Sequence, residues 1–189
     1  MGNKNLRPED ANQDNIGFTY LENEIPFLSE FVFSIDGFYN RVTDKIIAIP
    51  RDMFHWSMTN KGNVEIKGLD VNLKMNIKTG KSDLVKTKAN YSLQSAKDAT
   101  VGSDNFGEQI PYTPVHSGSG SISYEHGKWE AGYNMVFSGV RWIGQMTDRT
   151  NKMNGYAIHS IFVTTSYKRW KVNAEIIYLF NTQYEVVRF

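Results

Sequence analysis

The chain has 189 residues, 40% hydrophobic and 13% aromatic, enough for one domain with a sizeable core. A net charge of +1, with lysines and arginines dispersed among acids, leaves no basic stripe for nucleic acid. The absence of cysteine excludes disulfides, thiol catalysis and cysteine-ligated zinc, and no apolar run is long enough for a transmembrane helix.

The segment before Asn12 is polar and holds Pro8, which breaks any helix. Asn15 to Leu21 sets Ile16, Phe18 and Tyr20 against Gly17 and Thr19, a short strand. Leu28 to Asn40 reads as a long strand, with Phe31, Phe33, Ile35 and Tyr39 on one side and Glu30, Ser34 and Asp36 on the other. A short apolar strand from Lys45 to Ile49 stops at Pro50, and Arg51 to Gly62 is mixed.

Asn63 to Ile77 and Val85 to Ala96 alternate cleanly about the turn Thr79-Gly80-Lys81-Ser82. The run from Val115 to Phe137 is an aromatic-rich hairpin turning over His126-Gly127-Lys128. One face of its return leg carries Trp129, Ala131, Tyr133, Met135 and Phe137; the other carries Glu130, Gly132, Asn134 and Val136. A further strand falls near Val140 to Ile143. Tyr156 to Tyr167 and Trp170 to Phe180 form a last hairpin over Lys168-Arg169.

No helix and no fixed-period repeat is evident. Short turns alternate with long polar connections over Arg41 to Gly62, Ser95 to Pro114 and Ser138 to Gly155. The two kinds of connection therefore lie at opposite ends of one antiparallel, all-β meander. Its strands run to roughly ten residues, beyond the five or six usual in soluble sheets. That describes an outer-membrane β-barrel segment of about eight to ten strands. A soluble all-β domain, such as a carbohydrate-binding sandwich, would alternate too, with its aromatics in a core. Tyr124 and Tyr167 precede short turns, and Trp129 and Trp170 follow them, as a lipid-facing girdle at a membrane surface would require. In a barrel, Asn72, Lys74, Lys88, Glu130, Asn134 and Glu175 point away from lipid.

The chemistry-bearing residues form no recognisable catalytic or metal set. His55, His116, His126 and His159 lack metal-pair spacing. Ser117-Gly118-Ser119-Gly120-Ser121 runs into a strand, whereas a phosphate loop runs into a helix. Asp36, Asp44, Asp70 and Glu108 could supply an acid pair, but nothing in the sequence brings two of them together. The expectation is a non-enzyme with no catalytic residue, cofactor or metal. The long loops offer His55, Trp56, Asn105, Phe106, Trp142 and Gln145 as contacts for a bulky polar ligand, or as residues that merely pack those loops.

Several stretches resemble one family in order. They are Gly2-Asn3-Lys4-Asn5-Leu6-Arg7-Pro8-Glu9, Phe38-Tyr39-Asn40-Arg41-Val42-Thr43-Asp44-Lys45-Ile46, and Asn60-Lys61-Gly62-Asn63-Val64-Glu65-Ile66-Lys67-Gly68-Leu69-Asp70. Further along come Ile110-Pro111-Tyr112-Thr113-Pro114-Val115-His116 and Phe180-Asn181-Thr182-Gln183-Tyr184-Glu185. Together they resemble the C-terminal part of the barrel of the TonB-dependent outer-membrane receptors. Asp70 stands where that family more commonly has Glu.

The resemblance implies a barrel of about 22 strands around a plug. It implies residence in the cell outer membrane and TonB-coupled uptake of an iron-siderophore, cobalamin or a glycan. Residues 1–189 are then expected to be the C-terminal portion of such a barrel, without signal peptide, plug or closing strand. The implied partners are outer-membrane lipid, a bulky nutrient, and the TonB complex acting through a plug not present in this chain.

Overall fold

The computed structural model describes residues 3–50, 55–143 and 149–188. Eight strands form one open antiparallel sheet. In sheet order they are β1 (Asp10–Glu22), β2 (Leu28–Thr43), β5 (Val64–Lys78), β6 (Asp83–Asp98), β7 (His116–His126), β8 (Trp129–Ser138), β11 (Tyr156–Tyr167) and β12 (Trp170–Ile177). Strands β1 and β12 are its edges. The connections at one end contain two small hairpins, β3 (Ile46–Pro50) with β4 (Trp56–Asn60) and β9 (Arg141–Trp142) with β10 (Lys152–Met153). A sandwich needs a second sheet stacked across the first, and beyond the eight strands the described residues form only these two-stranded hairpins.

The strands are longer than the apolar alternation alone marks. β1 begins at Asp10, five residues before the expected start, because Asp10 to Asn15 pair with Phe38 to Thr43 along the backbone ladder. The mixed stretch after Pro50 yields β4, whose Trp56 to Asn60 pair with β3. β12 ends at Ile177, short of the expected Phe180. Tyr178 adopts φ 58° and Asn181 φ 48°, left-handed conformations that take the backbone out of the ladder.

Directly paired residues share a face of the sheet, so the register assigns every side chain. One face carries Phe31, Phe33 and Ile35 of β2, opposite Met75, Leu73 and Val71 of β5. It continues through Ala89 and Tyr91, Gly120 and Gly118, Met135 and Phe137, then His159 and Ala157. From Ile16 to Tyr20 on β1 across to Trp170 through Ile176 on β12, this band contains no Asp, Glu, Lys or Arg. Charge returns only beyond it, at Asp14, Arg41, Lys67 and Lys97 on one side and Glu22 and Asp83 on the other. Large apolar groups there stand open, Trp170 75% and Trp129 57% exposed. A water-soluble domain this size would cover them.

The other face is polar. Ser34, Asn72, Asn90 and Ser119 form one row across four strands. Asn72 Nδ2 donates to Ser34 Oγ at 3.2 Å, Asn90 Nδ2 to Ser119 Oγ at 2.9 Å, and the Ser119 amide to Asn90 Oδ1 at 3.0 Å. Phe rings lie over opposing glycines: Phe38 over Gly68 and Phe162 over Gly132 on this face, Phe137 over Gly118 on the apolar one.

Candidate functional site

Two places can meet a solute: the polar face and the long connections at one end of the sheet. The connections fold back onto the polar face. Val64, Ile66 and Ala96, at the strand ends of that face, pack with Ile110 of the 99–115 connection and Ile47 of β3. Asp98 fixes this arrangement, because its buried carboxylate would be costly without partners. It meets Lys61 Nζ at 3.1 Å and accepts from the Ser103 hydroxyl at 2.8 Å and the Thr100 amide at 2.9 Å. Buried Gln109 accepts the Ala96 amide at 3.1 Å, clamping the connection against β6. Between these segments lies a cavity of about 170 Å³, lined among others by Ile47, Lys61, Asn105, Gln109, Ile110 and Ile143.

Of the loop residues expected from the sequence, Asn105 lines this cavity, while His55, Phe106 and Trp142 do not. Phe106 is 61% exposed at the tip of the 99–115 connection. Trp142 lies in β9, and its carbonyl accepts the Tyr112 amide at 2.8 Å, joining two long connections. His55 is exposed just before β4, which opens at Trp56 opposite Pro50. Gln145 lies outside the described residues.

The polar face opens a broader concavity of about 540 Å³, lined by Asp70, Asn72, Asn90, Ser92, Ser117 and Ser119 among others. Here the register brings together what the sequence left apart: Asp36 and Asp70 are direct cross-strand partners. Lys74 and Lys88 pair directly as well, nearer the short turns. Lys74 bonds Glu30, and Lys86 holds Glu125 at 2.5 Å and Glu130 at 3.3 Å. Asn72, Lys74, Lys88, Glu130, Asn134 and Glu175 all fall on this face, as expected. Among the described residues no group of three or more His, Cys, Asp or Glu could hold a metal ion.

The segment before β1 ties the β3–β4 hairpin to the sheet. The Arg7 amide donates to Asn60 Oδ1 at 3.0 Å, and Asn60 Nδ2 returns a bond to the Arg7 carbonyl at 3.0 Å. Arg7 pairs with Asp44, and Glu9 accepts from the Ile46 amide at 2.9 Å and from Lys45 Nζ at 3.1 Å. The Arg7 hydrogen bond holds the Asp44 carboxyl below its ordinary range. The Ile46 amide, then Lys45, does the same for Glu9.

At the far end of the chain the residues after β12 cross the same loop region. Tyr184 stacks on Tyr156 with centroids 4.2 Å apart, and buried Arg141 donates to the Glu185 carbonyl at 2.6 Å. Tyr124, Trp129, Tyr167 and Trp170, expected from the sequence as a girdle, share the apolar face beside the short turns.

The model of the family described as TonB dependent receptor-like, beta-barrel matches residues 1–179. No curated protein sequence matches the chain. Among solved structures, the copper transporter OprC aligns at 20% identity and a TM-score of 0.69, over 96% of this chain and 26% of its own. The ferric-catecholate import receptor Fiu from K12 E. coli aligns at 17% identity and 0.67, over 97% of this chain and 25% of its own. The FrpB iron transporter from Neisseria meningitidis aligns at 18% identity and 0.59, over 97% of this chain and 29% of its own. At these identities the likeness is one of fold, and the chain spans about a quarter of the length of the first two. The charge-free band, the polar opposite face and the family match converge: the chain belongs to the TonB-dependent receptors, as part of their β-barrel.

Proposed function

We propose that the chain is the C-terminal portion of the barrel of an outer-membrane receptor for TonB-coupled uptake of a bulky nutrient. The ligand class is an iron-siderophore, cobalamin or a glycan, taken up by transport without covalent chemistry. The observation that carries this reading is the segregation of the two faces. A band without Asp, Glu, Lys or Arg runs across all eight strands on one side. The other carries hydrogen-bonded Ser and Asn together with Asp, Glu and Lys. Lipid cannot satisfy backbone polar groups, so a sheet with such a band must close on itself, and its polar face then lines a lumen. The long connections lie outside the cell and the short turns in the periplasm. His55, Trp56, Phe106, Trp142 and Gln145 belong to connections that a ligand meets first. The polar wall, with Asp70, Asn72 and Asn90, forms part of its route.

In this reading the TonB complex acts through a plug supplied elsewhere in the receptor. The test is deletion of the gene carrying this chain, with growth scored on ferric chelates, cobalamin and oligosaccharides, each supplied at scarcity. Loss of growth on one of them, reproduced by loss of TonB, is the expected result. Unchanged growth on all of them, or restoration of uptake by the 189-residue chain alone, overturns the proposal.

A further inference from the structure

The short-turn rim carries charge that neither the polar wall nor the long connections use. Its turns are bonded side by side: the Gly127 amide donates to the Ser82 carbonyl, and the Ser166 amide to the Lys128 carbonyl, both at 3.1 Å. The β5–β6, β7–β8 and β11–β12 turns therefore form one continuous arc. Lys81, Lys128, Lys168 and Arg169 stand exposed along it. None of the four has an acidic partner among the described residues. The acids beside the arc are already engaged: Asp83 by the Tyr124 hydroxyl at 2.8 Å and His126 Nδ1 at 2.6 Å, and Glu125 and Glu130 by Lys86. Glu22 and Glu24, on the β1–β2 turn, mark where the basic arc ends.

Directly beside these cations lie the exposed rings of Tyr124, Trp129, Tyr167 and Trp170, and Lys168 Nζ sits over the Tyr167 ring at 5.4 Å. The opposite rim differs. There Arg41, Lys67 and Lys97 are interleaved with Asp14 and Glu65, and Lys67 reaches Glu65 at 3.5 Å.

We infer that this arc docks anionic phospholipid headgroups of the leaflet on the short-turn side. The inference rests on the membrane-barrel reading above. Amphipathic rings settle at headgroup depth. Cations just beyond them then lie at the level of lipid phosphates, where an anionic surface attracts each basic residue. A phosphodiester accepts charge-assisted hydrogen bonds from ammonium and guanidinium groups. The unpaired cations thus have partners along the whole arc, and the aromatic belt sets the depth at which they meet.

The test is flotation of the full chain with phosphatidylcholine vesicles and with mixed phosphatidylcholine–phosphatidylglycerol vesicles. The anionic lipid should raise partitioning by about tenfold or more, an increment abolished by high salt. The combined variant Lys81→Gln, Lys128→Gln, Lys168→Gln, Arg169→Gln should lose that increment while keeping both its partitioning into phosphatidylcholine and its β-sheet circular dichroism. Lys67→Gln with Lys97→Gln should keep it. Equal partitioning of the unaltered chain into both vesicles overturns the inference and leaves the membrane reading standing. Flotation with neither vesicle overturns the inference.

Discussion

Asp36 of β2 and Asp70 of β5 stand directly opposite one another on the polar face, and neither has a salt-bridge partner among the described residues. Like charges directly opposite cost a few tenths of a kcal/mol to about 1 kcal/mol in an antiparallel pair. Asp70→Asn should therefore stabilise the sheet, raising its urea midpoint in detergent by the equivalent of about 0.5 kcal/mol. A midpoint that falls would show that the two acids are held by a favourable interaction instead.

Neighbouring residues of β8 should respond oppositely to the same charge. Tyr133 lies on the charge-free face and Asn134 on the polar one. Tyr133→Arg should cost about 2–4 kcal/mol of folding free energy in a bilayer, and Asn134→Arg much less. Equal losses in a vesicle-folding assay would refute the assignment of the faces.

Glycines should differ by what a methyl group would meet. At Gly68 a Cβ would lie 2.4 Å from the Leu93 carbonyl oxygen and 2.4 Å from Phe38 Cζ; at Gly120 the nearest atom, the Lys88 carbonyl oxygen, is 3.8 Å away. Gly68→Ala should destabilise by about 1–3 kcal/mol, since the obstruction includes backbone, whereas Gly120→Ala should be tolerated. Denaturant titration of the two variants compares them directly.

Acid should release the β3–β4 hairpin from the segment before β1. Both Asp44 and Glu9 titrate below their ordinary values, so their contacts are fully present above the unfolded carboxylate range. The contacts are lost as pH falls through the lowered folded values. Hydrogen exchange at the Ile46 amide, which donates to Glu9, should accelerate across that window beyond its intrinsic pH dependence. Glu9→Gln should remove this step, and its persistence in the variant would exclude Glu9 as its origin.

What the sequence disclosed was whatever repeats with a period of two. Leu69 to Ile77 announce β5 because apolar and polar residues alternate along it. The start of β1 escaped because Asp10 to Asp14 lie beyond the apolar band and pair through backbone groups that no composition reveals. The aromatic alternation of Tyr178 and Phe180 concealed the break after Ile177, since a positive φ at Tyr178 leaves no mark on residue type. The Asp36–Asp70 pair was illegible for another reason: it depends on the alignment of two strands, which neither strand encodes alone. The same holds for the loop region, where Asn105 lines the cavity and Phe106 stands exposed, an arrangement set by bonds such as that from the Gly107 amide to the Asp98 carbonyl.

The rings lying over glycine settle a question that alternation leaves open. A slip of one residue between neighbouring strands would turn every side chain to the wrong face, so the two-faced pattern forbids it. A slip of two residues keeps each side chain on its proper face and escapes that safeguard. Such a slip would set Phe38 against Ile66 or Asp70, and Phe162 against Glu130 or Asn134, where side chains already occupy the space. Only opposite Gly68 and Gly132 can the rings lie flat along the wall. Each pair thus acts as a key for its strands, rejecting the even misalignments that hydrophobic patterning cannot detect while the sheet assembles.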